Sequence, residues 1–291
     1  MSVDVYSIMN DRILKVMERG VVPWKKPWSG IAPVNYDTDK EYRGVNTIIL
    51  YLEAQEKGYR SPYWLTYNQA NKNGGHVRRG QKSTPIVFSQ RYAKEIQKED
   101  GTKEIRVRHV LRYYNVFNFD QCDGLKTKTI PRAEIEQDKL AACEKLLAKM
   151  PGKQPSYAEG GYKAFYRPDI DHVQLPPLET FKTVDDYVAT KLHEFGHATG
   201  HSTRLNRPGI MDVAMFGSED YSFEELVAEL TSAYLCAVIG ADNSETVENS
   251  AAYLQGWMKV LKKDKRMLLT ASGKAVRAAD FIQGKKMEAV A

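Results

Sequence analysis

Residues 193–197 read His-Glu-Phe-Gly-His, inside the stretch VDDYVATKLHEFGHATG. Its spacing predicts one helix of about four turns, with Thr183 as N-cap and Gly200 at its end. On a helix, residues four apart project about 40° from each other, so His193 and His197 can present imidazole nitrogens to one ion. Glu194 lies just off that face, placed to take a proton from a water whose pKa a metal lowers from about 15.7 to about 7. This helix constrains everything around it, because a second element must bring a third ligand against the pair. Zinc is the expected ion, and another divalent metal is compatible with the same donors.

The third ligand has two sources in the sequence. His201 stands four beyond His197, but Gly200 separates them. A His-Glu-x-x-His-x-x-Gly-x-x-His pattern would need its last histidine at 203, where Thr203 stands. The alternative is the segment FEELVAEL, in which Glu225 and Glu229 are four apart and share a helical face. Glu225 is the expected ligand, and Glu229 is expected to accept a hydrogen bond from a ligand histidine's free N–H. Glu224 is expected to turn to solvent and His201 to be a helix-end residue. The segment SFEELVAELTSAYLCAVIG is expected to form this second, antiparallel helix, capped by Ser222 and closed at Gly240.

Charge divides the chain. Residues 1–130 carry 22 Lys/Arg against 14 Asp/Glu, and the remainder carries 20 against 23, so a basic half precedes a mildly acidic one. With 291 residues two domains are expected, and the polar stretch DQCDGLKTKTIP places the boundary between them, giving 1–125 and 132–291. The fold class that follows is α+β. The first domain is expected to be an α+β unit with a β-hairpin and sheet, its basic character making it the candidate nucleic-acid-binding domain, and the second is expected to be mainly helical with a small edge sheet. TPIVFSQRYAKEI and EIRVRHVLRYYNVFNF, β-branched and aromatic runs around Asp100-Gly101, form the hairpin. Helices are expected over 3–20, in GVNTIILYLEAQEKG, in TYNQANKNGG and in PRAEIEQDKLAACEKLLAKM, the last with Pro131 near its first turn. GGYKAFYRPDIDHVQLPP offers two short strands.

Three cysteines, Cys122, Cys143 and Cys236, are odd in number and far apart, which excludes a disulfide framework and a cysteine-based zinc ribbon. No apolar run approaches the roughly 18 residues of a membrane span, and the start lacks the pattern of a secretory signal. A cytoplasmic protein with no membrane partner is expected.

The basic half is also aromatic. Sixteen of the chain's 30 aromatic residues precede residue 120, and PWKKPWSG interleaves Trp24 and Trp28 with Lys25 and Lys26. Single-stranded nucleic acid is held by this combination, cations following phosphates while exposed rings stack on bases. Tyr42, Arg43 and Asn46 in EYRGVNT, Trp64 in SPYWLTYNQA, and Arg78, Arg79 and Lys82 in GGHVRRGQKST complete the candidate surface. The competing reading makes Trp24, Trp28 and Trp64 core anchors rimmed by solvated lysines, and residue types alone do not choose between them.

Taken in order, ERGVVPWKKPWSG, YRGVNTIIL, YWLTYNQANKNGGHVRRGQKS and RYYNVFN resemble the N-terminal domain of ArdC-type antirestriction proteins. HEFGHATGHSTRLNR followed by FEELVAEL resembles the zincin-like metallopeptidase domain that accompanies it. The resemblance spans nearly the whole chain. It implies a protein that binds single-stranded DNA and protects incoming plasmid DNA from host restriction endonucleases. It further implies His193, His197 and a glutamate within 224–229 as metal ligands, Glu194 as the catalytic carboxylate, and a DNA-bound protein as the substrate if the site is an active peptidase.

Overall fold

The computed structural model describes residues 4–25, 32–97, 103–129, 137–208, 210, 219–243 and 251–286. Helix α1 (Val5–Met17) opens the chain, its Asp4 side chain accepting from the Tyr6 N–H. Strand β1 (Val34–Asn35), helix α2 (Val45–Lys57), strand β2 (Tyr63–Thr66) and helix α3 (Tyr67–Lys72) follow. A capping box between Thr66 and Gln69 starts α3. After β3 (His76–Val77) come the two long strands β4 (Thr84–Gln97) and β5 (Lys103–Asn118), paired antiparallel from Thr84↔Val116 to Gln97↔Lys103. They are the hairpin read from the sequence, and its turn residues lie outside the described set. The sheet order is β1-β2-β5-β4, while β3 pairs with the short β6 (Cys122–Asp123).

The second half begins with α4 (Lys139–Leu147). Its N-cap is Asp138, accepting from Leu140 and Ala141 N–H groups, and the expected start near Pro131 lies outside the described residues. A three-stranded sheet of order β7-β9-β8 is built from β7 (Ser156–Glu159), β8 (Phe165–Arg167) and β9 (His172–Leu175). The last two are the expected strands, and β7, which the sequence reading lacked, adds to them in parallel. Then come α5 (Val184–Ala198), α6 (Glu219–Ile239), α7 (Ala251–Lys263) and α8 (Met267–Ile282). Thr183 caps α5 through the Asp186 N–H as expected. Ser222 does not cap α6, because the helix already begins at Glu219.

The two halves share a core. Met9, Ile13 and Met17 of α1, together with Trp24 and Ile48 and Ile49 of α2, pack with Leu226 and Leu230 of α6, Trp257 and Leu261 of α7, and Leu268 of α8. A second core joins α4, α5 and β9 to the far end of α6. Helix α6 therefore serves both, one face toward the metal-binding half and another toward the N-terminal helices. Among the described residues no helix is long and apolar enough to cross a membrane. All three cysteines are buried as free thiols, and burial pushes each of them up, Cys143 and Cys236 to about 12.

Candidate metal centre

Helix α5 lies against α6 at a point where neither carries a large side chain. A Cβ on Gly196 would sit 3.3 Å from the Thr231 Cβ and 3.4 Å from the Ala228 Cα. Glycine there lets α6 come close enough to hold its carboxylates over the histidine pair. Ser232 Oγ donates to the Ala189 carbonyl at 2.7 Å and pins the crossing.

At that crossing His193 Nε2 and His197 Nε2 are 3.1 Å apart. Glu225 reaches between them, Oε2 at 3.4 Å from His193 and Oε1 at 3.5 Å from His197. A tetrahedral ion bonded at 2.0–2.1 Å has donor atoms separated by about 3.3–3.4 Å. The two Glu225 distances run to different oxygens; with one atom taken from each residue the three donors lie within 4.8 Å of one another, a grouping of the kind that holds a divalent ion. Burial by itself would depress the His193 imidazolium. The hydrogen bond that His193 donates to Glu225 and the charges of Glu194, Glu229 and Glu225 outweigh it and push its pKa up to about 9. The cluster thus favours positive charge between these side chains, the field a cation needs.

Glu194 is buried next to the pair, and burial pushes its carboxyl above the ordinary value against the opposing pull of His193 and His197. The Tyr166 backbone N–H donates to it, which puts β8 beside the centre. Strand β8 is held there by Arg204. Its side chain donates to the Ala198 carbonyl at 2.7 Å and to Asp171 beside β9, and Tyr166 Oη donates to the same aspartate at 2.9 Å.

The orienting carboxylate differs from the one expected. Glu224 is buried, and it faces His197 Nδ1 at 3.3 Å while accepting from Arg207 Nε at 3.0 Å and Nη2 at 2.5 Å. Burial would raise its carboxyl, but His197 and Arg207 together hold it below the usual range. Glu224 is therefore the residue that fixes the His197 tautomer, leaving Nε2 to face Glu225 and His193. The sequence reading turned it to solvent and gave its role to Glu229. Glu229 lines the cleft beside the centre but is engaged elsewhere, accepting from Tyr253 Oη at 2.9 Å and pairing with Lys25 Nζ at 3.2 Å. Arg207, which the sequence reading passed over, also donates to the Gly196 carbonyl and to Thr199 Oγ1. A Cβ on Gly200 would meet its guanidinium at 2.9 Å. Gly200 is thus needed for this close approach and not as a left-handed cap: α5 ends at Ala198 with right-handed Thr199 as its C-cap, and Gly200 does not take a positive φ. His201 turns away to Thr203.

A cleft of about 240 Å³ opens beside the centre, lined among others by His193, Glu225, Thr190, Glu229, Asn243 and Lys25. Lys25 reaches it from the N-terminal half. The residue before it is locked too: Asn243 Nδ2 donates to the Trp24 carbonyl at 3.1 Å, and the Trp24 ring meets Trp257 edge-on, centroids 5.8 Å apart.

That placement corrects much of the expected DNA surface. Trp24 is 0% and Trp64 1% exposed, so neither ring is open to a base; both are core anchors. Lys25 is buried in its pair with Glu229. Asn46 exchanges two hydrogen bonds with the Val87 backbone, and half-buried Tyr42 accepts from Asn35. Arg78 ties the Asp120–Asp123 turn by donating to the Asp120 and Cys122 carbonyls and to Asp123. Arg43, Arg79 and Lys82 remain exposed, Arg43 paired with Asp280. Lys26 and Trp28 lie outside the described residues. Among the described residues of the N-terminal half the exposed rings are elsewhere, on Tyr67, Phe88, Tyr92, Tyr113 and Tyr114.

Two family models match the chain, the N-terminal domain of anti-restriction factor ArdC over residues 3–117 and a zincin-like metallopeptidase over residues 142–274. The uncharacterized protein y4eC of Sinorhizobium fredii is 33% identical over 98% of this chain and 94% of its own length. The DNA primase TraC of Escherichia coli is 33% identical over 94% of this chain, which spans 26% of that protein. The metal-free crystal structure of the antirestriction ArdC protein from the R388 plasmid superposes with a TM-score of 0.75 at 36% identity, covering 97% of both chains. Its Mn(II)-bound form superposes equally well, at 35% identity over 98% of this chain and 100% of that one.

Proposed function

The chain belongs to the ArdC antirestriction family, with a zincin-like metallopeptidase domain as its second half, and on that premise we propose that it binds single-stranded DNA and protects incoming plasmid DNA from host restriction endonucleases. The observation that carries the proposal is the likeness to ArdC along 97% of the chain, which takes in the basic half and the metal-site half together. We assign DNA binding to residues 1–125 and the metallopeptidase-like site to residues 132–291, acting in the cytoplasm where incoming DNA meets the endonucleases.

His193, His197 and Glu225 would hold the ion. Zinc is the proposed metal, since two imidazoles and one carboxylate suit it and such donors bind it more tightly than manganese. When bound, the ion supplies Lewis-acid chemistry. Glu194 holds and moves the proton at its carboxylate oxygen as general base, and its burial beside Tyr166 keeps competing solvent from that oxygen. Glu224 and Arg207 orient His197.

A second reading, a DNA-recruited metallopeptidase that cleaves a DNA-bound protein, is favoured by Glu194 itself. A purely structural ion has no use for a buried carboxylate next to its ligands. One assay addresses both. Unmodified plasmid is conjugated into a restricting and a non-restricting host, each with and without the protein, and recipients are counted. The wild type should raise the count in the restricting host alone, and no rise there would overturn the proposal. Protection retained by Glu194→Ala assigns the effect to DNA binding, and protection lost assigns it to the peptidase site.

A further inference from the structure

With Trp24 and Trp64 in the core, the basic half needs another set of rings if it is to stack on bases. The β4–β5 hairpin carries one. Its register runs without interruption from Thr84↔Val116 to Gln97↔Lys103, so directly opposed residues share a face and the faces alternate along each strand. Ile86, Phe88 and Tyr92 of β4 therefore stand on the same face as Val116, Tyr114, Arg112 and Val110 of β5. At its root this face is covered, Ile86 and Val116 packing with Leu50 and Trp64. Beyond the root it opens to solvent, with Phe88 56%, Tyr114 42% and Tyr92 38% exposed. Phe88 and Tyr114 meet edge-on at 6.2 Å between centroids, and the Arg112 guanidinium lies 6.0 Å from the Tyr92 ring centre.

We propose that this open face of the β4–β5 hairpin is the surface on which single-stranded nucleic acid stacks, with Phe88, Tyr92 and Tyr114 as the platforms and Arg112 as the phosphate contact. Phe88 and Tyr92 are four residues apart on one strand, about 13 Å at the rise of a β-strand, so the two rings serve different bases. The charge matches a polyanion: residues 105–118 hold Arg106, Arg108 and Arg112 and no acidic residue. A surface built for an apolar protein partner would carry aliphatic side chains, and Val110 is the one exposed aliphatic among these face residues. Stacking is sequence-tolerant because every base has a π-face, which suits a protein that must act on whatever DNA enters.

The inference rests on the DNA-binding reading above, and the test separates the two. Full-length protein is titrated into a fluorescein-labelled oligothymidylate, with anisotropy as readout and circular dichroism as a check on folding. Phe88→Ala and Tyr114→Ala should each weaken binding by at least about fivefold, and ring-preserving Phe88→Trp and Tyr114→Phe should bind like the wild type. Tyr113→Ala, on the opposite face and 39% exposed, should also bind like the wild type. Arg112→Gln should reduce the magnitude of the slope of log affinity against log salt by about 0.7. If the wild type binds and Phe88→Ala, Tyr92→Ala and Tyr114→Ala all bind equally well, the face is wrong and the DNA-binding reading stands. If the wild type does not bind the oligomer, the DNA-binding reading falls and this surface with it.

Discussion

Replacing Glu224 by glutamine tests whether the metal centre is oriented as the structure describes. The side chain keeps its shape and loses its charge. Two consequences separate. His197 Nδ1 faces Glu224 at 3.3 Å, and a neutral amide in that place holds the imidazole less firmly and makes it less basic toward an ion. Losses of orienting partners of this kind typically lower metal affinity by about 10- to 100-fold, or about 1.4–2.7 kcal/mol. Independently, Arg207 loses its charge partner while its side chain is only 3% exposed. Leaving one member of a buried pair uncompensated costs about 3–5 kcal/mol of stability, which the carbonyl of Gly196 and the Thr199 hydroxyl offset only in part. Competition against a chromophoric chelator at fixed pH reads the first effect, and thermal unfolding of the metal-free protein reads the second. Glu224→Gln with Arg207→Met removes the stranded charge, so it should recover stability while metal affinity stays low. Glu229→Gln, which contacts Lys25 and Tyr253, should leave the affinity within about threefold, well short of the loss an orienting partner causes. Wild-type affinity in Glu224→Gln together with a large loss in Glu229→Gln would refute the assignment.

Three further outcomes are expected. His197→Ala and Glu225→Ala should each lose the ion by elemental analysis after gentle purification, while His201→Ala, turned to Thr203, should retain it. Trp24→Ala should destabilise the whole protein by about 3–5 kcal/mol, seen in the denaturant midpoint, because its ring is a shared-core anchor and not an exposed platform. Asp171→Asn should cost about 3 kcal/mol at neutral pH by stranding buried Arg204, asparagine being chosen because it tolerates the backbone φ of 50° there. Burial raises the Asp171 carboxyl, but Arg204 and Tyr166 outweigh it and hold it below the ordinary aspartate value. Its contribution is therefore fully present above about pH 4 and is lost as pH falls through the folded value. Unfolding curves of wild type and variant should accordingly converge in acid, and a constant gap down to pH 2 would contradict the pairing.

Local signals carried far along this chain. The capped helix with two histidines on one face, the long hairpin around Asp100-Gly101 and the paired strands of 165–175 follow from periodicity, caps and β-branched runs, because those properties act over a few residues. Candidate ligands were legible for the same reason, His193 and His197 being one turn apart. What the sequence left undecided was rotation and partnership. Successive helical residues turn by about 100°, so Glu224 stands well apart from Glu225 and Glu229, which share a face, and only the packing of α6 on α5 at Gly196 decides which carboxylate meets which histidine. Glu224 was misjudged because its partner Arg207 sits 17 residues away in sequence and no local pattern ties them. The tryptophans were ambiguous in kind: a proline-flanked Trp-Lys pair looks the same whether it lies open or is driven into a core. Trp24 and Lys25 are buried because α6, the residues just after it and α7, more than 190 residues on, supply Glu229, Asn243 and Trp257 around them. Burial of an aromatic ring is a property of the surface that closes over it, and here that surface comes from the other end of the chain.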